Sequence, residues 1–167
     1  MQAGTLIATI LQFDRKVASY KIALIRSIND VVLGYAHISE SAPVAIPLRM
    51  LASFWLAYYW PFAAADNPIN QGMVMMGKQD ISFRNALTQV RQEWQQLVEN
   101  TRPSDGFFLT GEFLTAHRRN NYPPALVKAY YQAITDIADA IHQPIRYAGP
   151  GEYSVFAKPR RWKQMKE

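Results

Sequence analysis

Residues 47–60 carry one charge, Arg49, and otherwise read as a helix that is apolar nearly all the way round. Leu48, Leu51, Ala52, Trp55, Tyr58, Tyr59 and Phe62 recur at intervals of three and four, while Phe54, Leu56 and Trp60 fill the other faces. A helix without a wet face belongs at the centre of a fold or inside a membrane. The longest uncharged run, residues 50–65, is shorter than the roughly 20 apolar residues of a membrane span, and Pro61 interrupts it. The expectation is therefore a buried central helix, with Pro47 where a first-turn proline is tolerated.

Amphipathic segments surround it. Residues 13–33 place Ile10, Phe13, Val17, Tyr20, Leu24, Ile28 and Val31 on one stripe, with Asp14 as a cap, Gly34 as a stop, and Arg15, Ser19 and Arg26 on the opposite face. Residues 36–45 read as a linker holding Pro43. Residues 66–79, with Pro68, Gly72, Gly77, Met73, Met75 and Met76, read as a long loop whose methionines pack on the core. A helix over 82–100 buries Phe83, Leu87, Val90, Trp94, Leu97 and Val98 and leaves Arg84 and Arg91 on its wet side. Residues 105–119 predict a shorter helix weakened by Gly111. Residues 124–142 predict a last long one with Leu126, Tyr130, Ile134, Ile137 and Ile141 inward, stopped by Pro144. Residues 152–156 predict a short strand or an extended tail. The fold class that follows is an all-α single domain, a compact bundle of four to five helices over residues 1–157 with an extended, basic C-terminal segment, 158–167.

The chain has no cysteine, which excludes disulfides, thiolate nucleophiles and Cys-based zinc sites. That composition, with no basic residue ahead of the first apolar stretch, fits a cytoplasmic protein with no membrane association. Of the net charge of +5, most lies in 158–167, where Lys158, Arg160, Arg161, Lys163 and Lys166 face Glu167 alone. Such a tail suits a phosphate backbone or an acidic partner, and equally a solvated end.

Catalytic chemistry has little to stand on. His37, His117 and His142 do not share metal-ligand spacing on one helix, and no HExxH, GxxxxGK[ST] or GxSxG occurs. Glu112 and His117 near Arg118 and Arg119 could hold a metal or phosphate, or simply be polar helix ends. Asp136 and Asp139 lie one helical turn apart but away from the apolar stripe, which favours a solvated face. The segment 149–153 (GPGEY) reads as a turn. The arginines are more suggestive, because a guanidinium holds a phosphate through two parallel hydrogen bonds. The phosphate-contact set read from the sequence is Arg15, Lys16, Arg26, Arg84, Arg91, Arg118, Arg119, Arg160 and Arg161, with Trp162 among the tail cations able to stack on bases.

Four stretches carry a resemblance: residues 13–30 (FDRKVASYKIALIRSIND), 44–52 (VAIPLRMLA) followed by 58–61 (YYWP), 122–127 (YPPALV), and 153–156 (YSVF). In this order they resemble the N-terminal helical region of bacterial HNH-endonuclease-domain proteins. In such proteins a nuclease module follows and activates water on a metal held by His and Asn or Asp. No residue here matches that module, so the resemblance implies no catalytic residue and no cofactor in this chain, a divalent metal being expected only in the absent module. It implies a non-catalytic domain of a restriction or phage-defence nuclease that binds or positions DNA or forms a homo-oligomer. The alternative is a protein–protein interaction module without a nucleic-acid role, its apolar patch supplied by the central helix and the Met-rich loop.

Overall fold

The computed structural model describes residues 9–10, 18–34, 44–64 and 80–159. Within them run α1 (Ala18–Gly34), α2 (Leu48–Tyr59) with a 3₁₀ turn at Trp60–Phe62, α3 (Arg84–Gln95), α4 (Asp105–Phe113), the single turn α5 (Ala116–Arg119) and α6 (Pro124–Arg146). No strand occurs among the described residues, and the fold is an all-α bundle.

The uncharged helix lies at the centre, as its sequence demands. Ala52, Trp55 and Leu56 of α2 are fully buried. The long helix α6 lies along both α2 and α3, and α1 and α4 flank α2. Pro47 precedes the first turn rather than sitting in it, and its carbonyl accepts from the Met50 and Leu51 N–H groups. Pro61 has no N–H to offer the helix, and the chain tightens there into the 3₁₀ turn.

The core is aromatic and its polar atoms are satisfied. Tyr20 packs on Trp55 (5.3 Å between ring centroids), Phe83 (5.8 Å) and Tyr59 (6.4 Å). The Trp55 indole donates to Ser27 Oγ at 3.2 Å, and Ser27 donates to the Leu24 carbonyl at 2.9 Å. Tyr59 donates to Ser19 Oγ at 3.1 Å. Each pairing offsets the cost of taking a polar atom out of water. Burial holds the Tyr20 and Tyr59 phenols above their ordinary range. Lys21 is also buried, its ammonium donating to the Ile10 carbonyl at 2.7 Å.

Four elements depart from the sequence reading. First, α3 ends at Gln95, five residues short of 100, because the Trp94 carbonyl accepts from Leu97 N–H at 2.9 Å in a tighter turn. The return is pinned by Asp105, whose carboxylate accepts from the Trp94 indole (2.9 Å) and from Arg102 N–H (2.8 Å). Second, the run 105–119 is two helices. Thr115 is extended (φ −117°, ψ 144°) and its hydroxyl accepts from Arg118 N–H at 3.4 Å, so it closes one helix and caps the next. Third, α6 passes Pro144 and ends at Arg146. A proline in the last turn costs one ladder bond; Pro144 and Ile145 are buried, and Tyr147 N–H still reaches the Gln143 carbonyl at 3.1 Å. Fourth, residues 152–156 form turns rather than a strand. Tyr153 is left-handed (φ 53°) and its N–H returns to the Arg146 carbonyl at 2.8 Å. Arg146 and Glu152 close the strap with a 2.6 Å ion pair. The expected linker at 36–45 (its first eight residues), the Met-rich loop and the start of the first helix lie outside the described residues.

Candidate nucleic-acid interface

The nine sequence-selected cations sort into three groups. Arg15, Lys16, Arg160 and Arg161 lie outside the described residues, as does His37. Arg84 and Arg91 are largely withdrawn from solvent. Arg26, Arg118 and Arg119 stand at the surface or half out of it.

Arg84 is the clearest departure from a phosphate-contact role. It is buried, and its guanidinium meets Asp80 through Nε (2.7 Å) and Nη2 (2.9 Å). Nη1 donates to the carbonyls of Phe62 and Ala64. The residue therefore ties the segment after α2 to the start of α3, which is a structural duty. Arg91 is half-buried; Nη2 donates to Thr101 Oγ1 at 3.3 Å, and the buried Nε has no hydrogen-bond partner. Arg26 lies 4.3 Å over the Tyr58 ring and 4.0 Å from Asp30, which also accepts from the Tyr58 hydroxyl at 2.6 Å. Burial and the Asp30 carboxylate together push the Tyr58 phenol up.

Arg118 and Arg119 belong to a built corner. Phe113, the last residue of α4, packs on Tyr130 (4.3 Å), Tyr122 (5.5 Å) and Tyr131 (6.4 Å), giving the corner an aromatic floor. Burial pushes the Tyr130 phenol up to about 12. Thr115 caps α5, and the chain leaves it through Asn120, Asn121 and Tyr122, whose N–H groups return to the carbonyls of Ala116, Arg118 and Arg119. Pro123 is extended and Pro124 opens α6, where a missing N–H costs nothing. Arg119 donates to the Tyr131 hydroxyl at 2.5 Å with its guanidinium 5.5 Å from the ring centre, which fixes the group in one orientation. Arg118 lies 3.5 Å from Glu112, whose other oxygen accepts from Tyr122 at 3.1 Å. That contact and burial raise the Tyr122 phenol, burial being the larger cause.

Between α5 and the first turns of α6 opens a shallow groove of about 390 Å³ lined by Arg119, Asn120, Tyr122, Pro124, Val127 and Lys128. Lys128 was missed by the sequence reading because it stands amid the apolar stripe of α6; its neighbour across the groove is what gives it meaning. Residues 115–128 hold Arg118, Arg119, Lys128 and the exposed His117 and contain no acidic residue. The first turn of α6 adds none, so its positive dipole end is uncancelled there.

The acid–base and metal candidates do not converge. Asp136 accepts from Gln132 at 2.7 Å, and Asp139 is exposed. Glu112 is taken up by Arg118 and Tyr122 rather than by His117. Among the described residues no group of three or more His, Asp or Glu is placed to hold a metal ion, and no helix is long and apolar enough to cross a membrane.

No curated protein and no solved structure matches the chain. One family model, described as a domain of unknown function (DUF8808), matches residues 1–167. The chain is therefore a member of the DUF8808 family over all of its 167 residues.

Proposed function

We propose that this domain is non-catalytic and contacts the phosphate backbone of DNA through the corner formed by α5 and the start of α6. One observation carries the reading: Arg119 and Lys128 line one open groove with Asn120 and Tyr122, and Arg118, held 3.5 Å from Glu112, is the next cation along the chain. Phosphate contact asks for clustered cations with hydrogen-bonding neighbours and needs no base-reading helix. Arg119 suits it best, because its fork is already oriented by Tyr131 and loses little freedom on binding. Arg26 and Arg91 stand on other helices and enter the proposal only as flanking charges. Duplex DNA is the ligand of choice because of the resemblance to the helical region of HNH-endonuclease-domain proteins. In that reading the domain positions DNA for a nuclease module.

The test compares the wild-type chain with an Arg118→Gln/Arg119→Gln/Lys128→Gln variant. Fluorescence anisotropy is followed on a labelled duplex at several salt concentrations. Each phosphate contact contributes about one unit to the slope of log K against log salt. The variant should therefore bind more weakly and show a slope shallower by about two to three. An unchanged slope would remove these residues from the contact surface.

A further inference from the structure

The outer face of α4 is apolar and, among the described residues, left half bare. Its inner face is spent: Gly106, Leu109 and Phe113 are buried. Outward stand Phe107 (48% exposed), Phe108 (55%), Gly111 and Leu114 (76%). The ridge is framed by Tyr58, 6.1 Å from Phe107 between ring centres, and by Trp94, 5.9 Å from Phe108. A patch of roughly this size is the largest that a typical monomer exposes, and such patches are often functional.

We infer that this ridge is the two-fold interface of a homodimer, with α4 packed antiparallel on α4 of a second copy. The order bulky, small, bulky along the ridge is self-complementary. A two-fold axis beside Gly111 sets Phe107 of each copy against the other copy's Leu114, and Phe108 over the other copy's Gly111. That glycine leaves open space above the helix, with nothing within 4 Å of where a Cβ would stand. A closed two-fold contact of this kind uses the same patch on both copies.

Charge and area favour a second copy over another partner. The rim beside Tyr58 holds Arg26 with Asp30, and the rim beyond Leu114 holds Arg118 with Glu112. Both signs are present and paired, so two copies approach without a single-sign field to repel them. Phe107, Phe108 and Leu114 expose roughly 350 Å² of mostly apolar surface per copy. Interfaces are a little over half apolar, so two such patches correspond to roughly 1,200 Å² buried in all, the lower end of an ordinary stable interface. Because α5 follows α4 directly, the dimer would carry one basic corner on each side of its axis; the interface itself stands independently of any DNA contact.

The experiment is the mass of the full chain by sedimentation over a concentration series up to about 1 mM, without nucleic acid. The wild type should reach twice the 19.1 kDa of one chain. Gly111→Gln gives the open position a side chain that the monomer accommodates and removes a helical glycine. It should keep or raise the thermal midpoint of the monomer and weaken dimerisation by at least about tenfold. Leu114→Glu should do the same to the dimer through the other end of the ridge. A wild type of single-chain mass at every concentration overturns the inference. So does a dimer that persists in both variants, since its interface would then lie elsewhere. Loss of the dimer in both, with the monomer folded, supports it.

Discussion

The two glycines of α4 should respond to the same substitution with opposite signs. Gly106 faces the core: a Cβ there would stand 2.6 Å from Trp60 Cβ, 2.8 Å from Trp60 Cγ and 3.0 Å from Ala57 Cα. Trp60 is buried at the end of α2 and its indole is tied to the Arg102 carbonyl at 3.1 Å, so neither the ring nor the backbone can give way cheaply. Overpacking of this kind costs about 1–3 kcal/mol, and the contact with the α2 backbone at Ala57 beside the tied Trp60 places it toward the upper end. The gain from replacing a helical glycine is up to about 1 kcal/mol. Gly106→Ala should therefore lose about 1–2 kcal/mol net, or roughly 2–8 °C in Tm for a chain of this length. Gly111→Ala meets nothing within 4 Å and keeps only the gain. It should rise by about 0.5–1 kcal/mol, or roughly 1–4 °C. The assay is urea and thermal unfolding followed by circular dichroism at one low protein concentration. A Gly106→Ala chain as stable as wild type, with an unchanged denaturant slope, would mean that α4 does not rest on Trp60 as described.

Other consequences follow from the same contacts. Asp80→Ala strands the buried Arg84 guanidinium, and the urea midpoint should fall by the equivalent of about 3 kcal/mol with little change in slope; a loss below about 1 kcal/mol would show that the carbonyls of Phe62 and Ala64 suffice to hold it. Tyr20, Tyr58, Tyr59 and Tyr130 all have phenols raised by burial, so above about pH 10 the unfolded chain loses their protons first. Stability present below that pH should then decline as pH climbs toward the folded values, and tyrosinate absorbance should appear together with unfolding rather than ahead of it. At the acid end, Arg146 holds the Glu152 carboxyl below its usual range through their hydrogen bond. The 149–156 strap should stay protected in hydrogen exchange above the ordinary carboxylate range. It should loosen as pH falls through the lowered value, and Glu152→Gln should remove that pH dependence.

The parts of the fold that were legible in the sequence are those where burial alone decides. The uncharged run 47–60 had no wet face, and the helix there is the centre; the stripes of α1, α3 and α6 likewise name residues that are buried, such as Leu24, Leu87 and Ile137. Ends were less legible, because tertiary contacts set them. Trp94 and Asp105 stop α3 early through a bond between residues eleven apart. Pro144, a stop signal on its own, is carried through because its ring is buried in the last turn of α6. The break at Thr115 was less legible, because its extended backbone and its cap on Arg118 N–H are all that separate the two helical runs.

The candidate site divides the same way. Arg118 and Arg119 announced themselves as a pair between Thr115 and two prolines. Arg84 misled, since its spacing from Arg91 implies a wet face and the partner that buries it, Asp80, lies one turn before the helix begins. Lys128 carried no signal of its own, because only folding brings it beside Arg119. The bare ridge of α4 was equally hidden: Phe107, Phe108 and Leu114 look like core residues until Gly106, Leu109 and Phe113 are seen to occupy the inner face.

The most direct test of the central claim is an anisotropy titration of the unmodified chain against a duplex DNA, repeated from low to physiological salt. The account predicts saturable binding that weakens steeply as salt rises, with a slope near the two to three phosphates that Arg118, Arg119 and Lys128 can reach, or more where other cations join them. No change in anisotropy at the lowest salt, or binding indifferent to salt, would contradict it.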